Sequence, residues 1–265
     1  MSSFAELGAT LMTNPGINRR SFLKLSGYSL AALALPTSQL SAAVRLFHSD
    51  YKYTKPINRF PTQQPKYYLT IDDGWFPEAL ERMLNSLKKA GRNATFFLVG
   101  DAVRVAEGER PGIIRRLVED GNEIGYHTVS HTSPKALSLN GVNWFIDDYS
   151  IWLEMMRGFV GEGIPGYGIR DFARAPGGFF SRSFIQFCEE MSQVPVGWNR
   201  MTGSVGFWQE EMHRGDILLM HVTPKEARFL DVYMSRLDVF AANGVYPAPF
   251  DLDPGIEIPT SSIID

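Results

Sequence analysis

Two carboxylates stand side by side in Tyr68-Leu69-Thr70-Ile71-Asp72-Asp73-Gly74-Trp75. Further along comes a histidine pair, His127-Thr128-Val129-Ser130-His131. One carboxylate and two imidazoles are enough to hold a divalent ion with a position left open for water, and a spare carboxylate can take that water's proton. The spacing of His127 and His131 is helical, which would place both rings on one face. An Asp-Asp-Gly run alone is also what a strand-ending turn looks like. The weight therefore falls on two later pieces, Arg174-Ala175-Pro176-Gly177-Gly178 and Ile217-Leu218-Leu219-Met220-His221.

In that order these pieces resemble the polysaccharide deacetylases, carbohydrate esterase family 4. The family's TFDDG-like motif corresponds to Thr70–Gly74, its HSxxH motif to His127–His131, its RPPYG-like motif to Arg174–Gly178, and its Leu-x-His to Leu219-Met220-His221. The flanking runs KKAGRNATFFLVG and LVEDGNEIGYHTVSH also fit. The resemblance covers residues 66–244. It implies an α/β fold, a distorted (β/α)7 TIM-like barrel in a single domain. The implied activity is metal-dependent removal of acetyl groups from an N-acetylated or O-acetylated polysaccharide.

The resemblance also assigns roles. Asp73, His127 and His131 would hold one divalent ion, zinc first, with cobalt, iron, manganese or nickel also compatible. Asp72 would be the general base, since adjacent side chains on an extended strand point apart and leave it off its neighbour's ion. Arg174 would orient Asp72. The backbone N–H of Gly177 would join in binding the tetrahedral oxyanion, and His221 would protonate the leaving amine or alkoxide. Trp75, Phe179, Trp198 and Leu219 are candidate substrate contacts. Two departures stand out. The family's aromatic in the third motif is replaced by Gly177. Its Asp-Trp pair has no acid here, where residues 196–204 read Val-Gly-Trp-Asn-Arg-Met-Thr-Gly-Ser. With Asn199, Arg200 and Ser204 as the neighbours in view, no carboxylate is expected beside His221. Two other readings share these residues: a small non-sugar amide or imide as substrate, and a sugar-binding pseudoenzyme. A complete Asp-Asp/His/His set argues against the latter.

The elements that must position these groups alternate. Strands are expected at Lys66–Ile71, Ala94–Val99, Glu123–Tyr126, Phe172–Ala175, Val194–Trp198 and Asp216–His221. Helices are expected at Pro77–Ala90, Pro111–Glu119, Asn143–Phe159 and Pro224–Asn243, the first and the last two with apolar residues at helical spacing. Strand–helix alternation implies a parallel sheet, and chemical residues at strand C-termini suit the C-terminal face of a barrel. Residues 44–65 read as an irregular lead-in and the Pro-rich run 245–265 as a strap or tail. Gly161–Gly166 matches GxGxxG but follows a helix, so it fails as a dinucleotide site. Arg214-Gly215-Asp216 reads as a turn, and His48 and His213 as solvated histidines.

Composition sets bounds. The 265 residues carry 26 basic and 29 acidic side chains with pI about 6.0, so no nucleic-acid footprint is expected. The lone Cys188 excludes an intrachain disulfide and reads as a buried helix residue. Asn18-Arg19-Arg20-Ser21-Phe22-Leu23-Lys24, a short apolar stretch and Ser41-Ala42-Ala43 have the layout of a twin-arginine export signal over residues 1–43. That implies the twin-arginine translocase as a partner, a periplasmic or secreted protein, and no permanent membrane span after cleavage.

Overall fold

A computed structural model of the chain describes residues 55–133, 137, 139–203, 211–242 and 246–248. The expected export signal, His48, Ser204 and residues 249–265 lie outside the described residues. Strand β1 (Lys66–Asp73) is buried along all but its last residue, because it has a strand on either side and helices over its outer face. Six more strands complete the row: β2 (Thr95–Leu98), β3 (Glu123–Tyr126), β4 (Ile169–Ala173), β5 (Val194–Pro195), β6 (Arg200–Met201) and β7 (Ile217–His221). Their order is β5-β4-β3-β2-β1-β7-β6, and β8 (Tyr246–Ala248) pairs with the start of β1. All these pairs are parallel. This is the expected distorted (β/α)7 barrel in one domain, with its row left open between β5 and β6.

That opening has specific fillers. Ile57 donates its N–H to Pro195 and its carbonyl accepts from Gly197 N, extending the β5 edge. Three residues on, Phe60 N donates to the Gly215 carbonyl beside the entry to β7. The lead-in thus crosses from one edge to the other. Gly215 makes this possible: its φ is +76°, and a Cβ there would lie 1.9 Å from the Phe60 carbonyl oxygen. The expected Val194–Trp198 strand stops at Pro195 for the same reason, since Gly197 bonds the lead-in and not a strand. In the Arg-Gly-Asp turn, Asp216 is buried against Arg59 (2.6 Å), Arg200 (3.2 Å), Asn199 (2.8 Å) and the His213 N–H (3.0 Å). It is part of the barrel floor, while the His213 side chain is 60% exposed.

Helices α1 (Pro77–Lys89), α2 (Gly100–Glu109), α3 (Ile113–Glu119), α4 (Val142–Val160), α5 (Arg182–Glu190) and α6 (Pro224–Ala242) cover the sheet. Helix α4 buries Phe145, Tyr149, Trp152 and Met156. Trp152 Nε1 donates to the Leu98 carbonyl at 2.7 Å, which ties the helix to β2. Tyr126, Tyr149, Trp152, Phe184 and Phe187 pack ring on ring over β3. Truncating a ring such as Trp152 to Ala would cost about 3–5 kcal/mol. Cys188 lies buried on α5, and burial holds its thiol well above the ordinary range. Among the described residues no helix is long and apolar enough to cross a membrane.

Helix α2 was not expected. Its buried side is small (Gly100, Ala102, Val103, Ala106) and gives little amphipathic signal. It nevertheless matters to the histidine loop. Gly100 N and Asp101 N, at the helix start, donate to the Thr128 and Val129 carbonyls at 3.1 and 2.8 Å. A Cβ on Gly100 would meet the Val129 backbone at 3.2 Å. From the other side Asp148, on α4, accepts from Val129 N at 3.0 Å and from the Tyr126 hydroxyl.

Asp148 therefore couples pH to stability. Burial pushes its carboxyl up to about 6, against the opposing bonds from Tyr126 and Val129. An unfolded aspartate titrates near roughly 3.9. Between those values the folded chain keeps a proton that the unfolded chain has lost, so this contribution is full below about pH 4 and lost as pH rises through about 6. A two-unit displacement corresponds to roughly 2–3 kcal/mol. Asp148→Asn should therefore gain on the wild type by about that amount in urea denaturation between pH 4 and pH 7. A difference that stays flat across that range would rule the coupling out.

Candidate active site

The chemical residues sit at one edge of the sheet because each follows the end of a parallel strand. Asp72 and Asp73 end β1, His127 follows β3, Arg174 follows β4, and His221 ends β7. Register brings them level: Asp72 is opposite His221, and Arg174 N donates to the Tyr126 carbonyl at 2.9 Å.

The local geometry differs from the expected one at two points. The histidine pair is not on a helix. Residues 127–133 are irregular, with Thr128 and His131 at φ of 65° and 49°. Their carbonyls and amides go to α2, Asp148 and the Thr128 hydroxyl, which accepts from His131 N at 3.1 Å. Nor do the two aspartates point apart. Asp73 has φ of 81°, a left-handed turn out of the strand, so the alternation of an extended chain is broken at that residue. His127 Nε2 consequently lies 3.7 Å from Asp72 Oδ2 and 3.6 Å from Asp73 Oδ1.

His131 Nε2 is 3.4 Å from the same Asp73 oxygen. One donor atom each from Asp73, His127 and His131 lies within 4.8 Å of the others. These separations are mostly too long for good hydrogen bonds, and among the described residues Asp73 Oδ1 is buried without a hydrogen-bond partner. His127 Nδ1 is 2.8 Å from the Arg174 carbonyl, which can only accept. That bond assigns the proton to Nδ1 and leaves the Nε2 lone pair facing Asp73. An orphaned carboxylate oxygen with two convergent imidazole nitrogens fits a divalent cation.

The electrostatics agree. Burial raises Asp73, but the three histidines His127, His131 and His221 outweigh it and hold the carboxyl below its ordinary value. Burial pulls His127 down, and Asp72 and Asp73 more than reverse this. His131 is lowered by burial and by the neighbouring His127. The carboxylates thus draw positive charge to the point between them.

Arg174 is fully buried. Its Nη1 donates to Asp72 Oδ1 at 2.6 Å and to Thr70 Oγ1 at 2.9 Å. Nε and Nη2 donate to the Val196 and Gly197 carbonyls at 3.1 and 2.9 Å. Its guanidinium lies 4.1 Å from the Phe97 ring centre and 5.6 Å from that of Trp198. Burial lowers its pKa and Asp72 opposes that.

Other expected residues are placed less uniformly. Gly177 adopts φ of +60° inside the short turn Pro176–Gly178. Trp75 and Phe179 are exposed at 37% and 39%. Trp198 is half-buried and rests over Gly178, where a Cβ would come within 2.6 Å of its ring. Leu219 is 2% exposed, one alternation beneath His221, so it offers almost no surface to a ligand. Asn199 and Arg200 turn to Asp216 in the floor and not to His221. The expectation that His221 has no carboxylate beside it is also overturned. Glu226 on α6 approaches it, with Oε1 3.9 Å from Nδ1. The signal for Glu226 was Thr223-Pro224-Lys225-Glu226, a helix-start pattern.

The Polysaccharide deacetylase family profile matches residues 60–193, about half of the chain. A chitooligosaccharide deacetylase of Azorhizobium caulinodans is 29% identical over 197 residues, covering 69% of this chain and 87% of that protein. The uncharacterized protein YlxY of Bacillus subtilis is 25% identical over 202 residues, covering 72% of this chain, and the chain spans 58% of YlxY's length. In solved structures, Bacillus subtilis PdaA, a family 4 carbohydrate esterase, aligns with TM-score 0.59 at 21% identity over 74% of this chain and 82% of that one. A family 4 pseudoenzyme from Bacillus anthracis aligns with TM-score 0.55 at 22% identity over 74% and 67%. Fold, profile and the ordered motifs at the strand ends agree, and the chain belongs to the polysaccharide deacetylase family.

Proposed function

We propose that this chain is an active, metal-dependent hydrolase that removes acetyl groups from an N-acetylated or O-acetylated polysaccharide. The observation carrying this reading is the convergence of Asp73, His127 and His131 within 4.8 Å, with Asp72 held beside them by a buried arginine. A bound divalent ion, zinc in this proposal, would polarise the acetyl carbonyl and acidify water. The chain's own residues do the rest. Asp72 accepts the proton of the attacking water, and Arg174 fixes the oxygen it bonds so that the other faces the site. The Gly177 N–H contributes to the oxyanion site. His221 gives its proton to the departing amine or alkoxide. A pseudoenzyme would have no need of this complete set. The exposed rings of Trp75 and Phe179 would supply apolar surface for sugar faces. Residues 1–43 would direct export through the twin-arginine translocase to the periplasm or beyond.

The purified protein should hold about one divalent ion per chain, as a mononuclear site requires. Metal analysis of the His127→Ala, His131→Ala double variant should show it lost. Full occupancy there would sink the ligand assignment.

Asp72→Asn should keep the ion yet slow acetate release by roughly a hundredfold, as for a lost general base. His221→Ala should cost more on N-acetyl amides than on activated acetate esters, whose leaving groups need no proton. Equal losses on the two would argue against His221 as the acid.

Changing Arg19 and Arg20 to Lys should leave folded precursor in the cytoplasm. Normal delivery of that variant would exclude the twin-arginine route.

A further inference from the structure

Helix α6 opens with the pattern of a reciprocal cap, in which Thr accepts from the backbone N–H three residues on and the Glu there reaches back to the N–H of the Thr. Only half of that exchange is present. Thr223 Oγ1 accepts from Glu226 N at 3.1 Å. Thr223 N, however, is already donated to the His221 carbonyl at 2.9 Å. The Glu226 carboxylate goes past the cap, and its Oε2 accepts from His221 N at 2.6 Å. On that side β6 pairs as far as Leu219, so among the described residues His221 N has no strand partner there and the carboxylate accepts its bond.

The second carboxylate oxygen then faces the imidazole. Glu226 Oε1 is 3.9 Å from His221 Nδ1, an electrostatic contact and not a hydrogen bond. The Glu226 side chain is 14% exposed and that of His221 35%, so screening is partial. Among the described residues, Glu226 is the carboxylate that comes within 4.0 Å of a His221 ring nitrogen. Burial pushes the Glu226 carboxyl up, while the His221 N–H, its ring, Thr202 and Lys225 push it back. Tyr233 faces the same carboxylate.

We propose that Glu226 is a positioning residue for the proton donor. By bonding the His221 amide it fixes its carboxylate against Nδ1, keeps the proton of neutral imidazole on Nδ1, and assigns Nε2 to the leaving group. This rests on the deacetylase reading for its consequence, though not for its geometry. In the step served, the Nε2–H bond breaks as an N–H or O–H bond forms on the leaving group and the bond to the acetyl carbon breaks. The imidazole is left neutral with its proton on Nδ1, facing Glu226, and acetate departs separately. The carboxylate thus acts through His221 and never touches the substrate.

Glu226→Gln tests this closely. Its amide oxygen can keep the bond from His221 N, which turns its NH2 toward Nδ1 and makes that nitrogen an acceptor. Nitrogen-15 NMR of the histidine rings, with His221 assigned by signal loss in His221→Gln, should show an Nδ1–H neutral tautomer in the wild type and an Nε2–H tautomer in Glu226→Gln. Acetate release from an N-acetylated chito-oligosaccharide should fall at least about tenfold in Glu226→Gln, within the span of general acid catalysis, and release from an aryl acetate much less. Thr223→Ala should lower the melting temperature through the lost cap and leave both the tautomer and the substrate split as in wild type. An Nε2–H tautomer in the wild type, one tautomer in both proteins, or a Thr223→Ala split like that of Glu226→Gln would overturn the proposal. If the wild type with its metal releases acetate from neither substrate, the deacetylase reading fails, while the tautomer spectra still decide the role of Glu226.

Discussion

The site depends on one buried guanidinium. Arg174 sits where the sheet is open, between the end of β4 and the chain that leaves β5. Four hydrogen bonds engage all three of its nitrogens: to Asp72, Thr70, and the carbonyls of Val196 and Gly197. A charge in such a place is tolerable only if it is paired and its donors are filled, and removing one partner of a buried pair typically costs about 3–5 kcal/mol. Because the residue reaches β1 and the chain leaving β5 at once, it ties the two together. Its carbonyl does a second task by accepting from His127 Nδ1. One residue thereby orients both the carboxylate proposed as base and an imidazole proposed as metal ligand.

Around this pair the backbone departs from regular structure. Five described non-glycine residues have positive φ, and three of them, Asp73, Thr128 and His131, belong to the site. Left-handed conformations at such residues cost energy and persist only where surroundings dictate them. Here the surroundings are identifiable. The start of α2 takes two carbonyls of the histidine loop, Asp148 takes an amide, and Asp73 returns its own carbonyl to Val99 N at 3.0 Å. The bends turn two carboxylates and two imidazoles toward one point, which straight strand ends would not do.

The opening in the barrel has a related origin. β5 and β6 are two residues each and do not pair with one another among the described residues. The lead-in backbone, the Asp216 cluster below and Arg174 above occupy the space a closed ladder would have used. Polar groups left by incomplete pairing are thus satisfied by side chains that also shape the site.

Much of this was legible in the sequence. The apolar runs of β1, β2 and β7 and the spacing of α1, α4 and α6 mark their elements, because buried strands and amphipathic helices have distinct periods. The ordered motifs identify the family. What escaped had physical causes. Helix α2 buries mostly small residues and carries little periodic signal. The histidine pair has helical spacing but lies in a loop held by residues far along the chain. Alternation along a strand cannot announce that its last residue turns left-handed. Glu226 stands in a helix-start pattern, Thr223-Pro224-Lys225-Glu226, that gives no sign of His221, and Asn199 and Arg200 resembled neighbours of His221. Residue types and their order determined which groups are present and what reaction they suit. Only tertiary structure decided which carboxylate meets which nitrogen, because those contacts are made across strands by side chains distant in sequence.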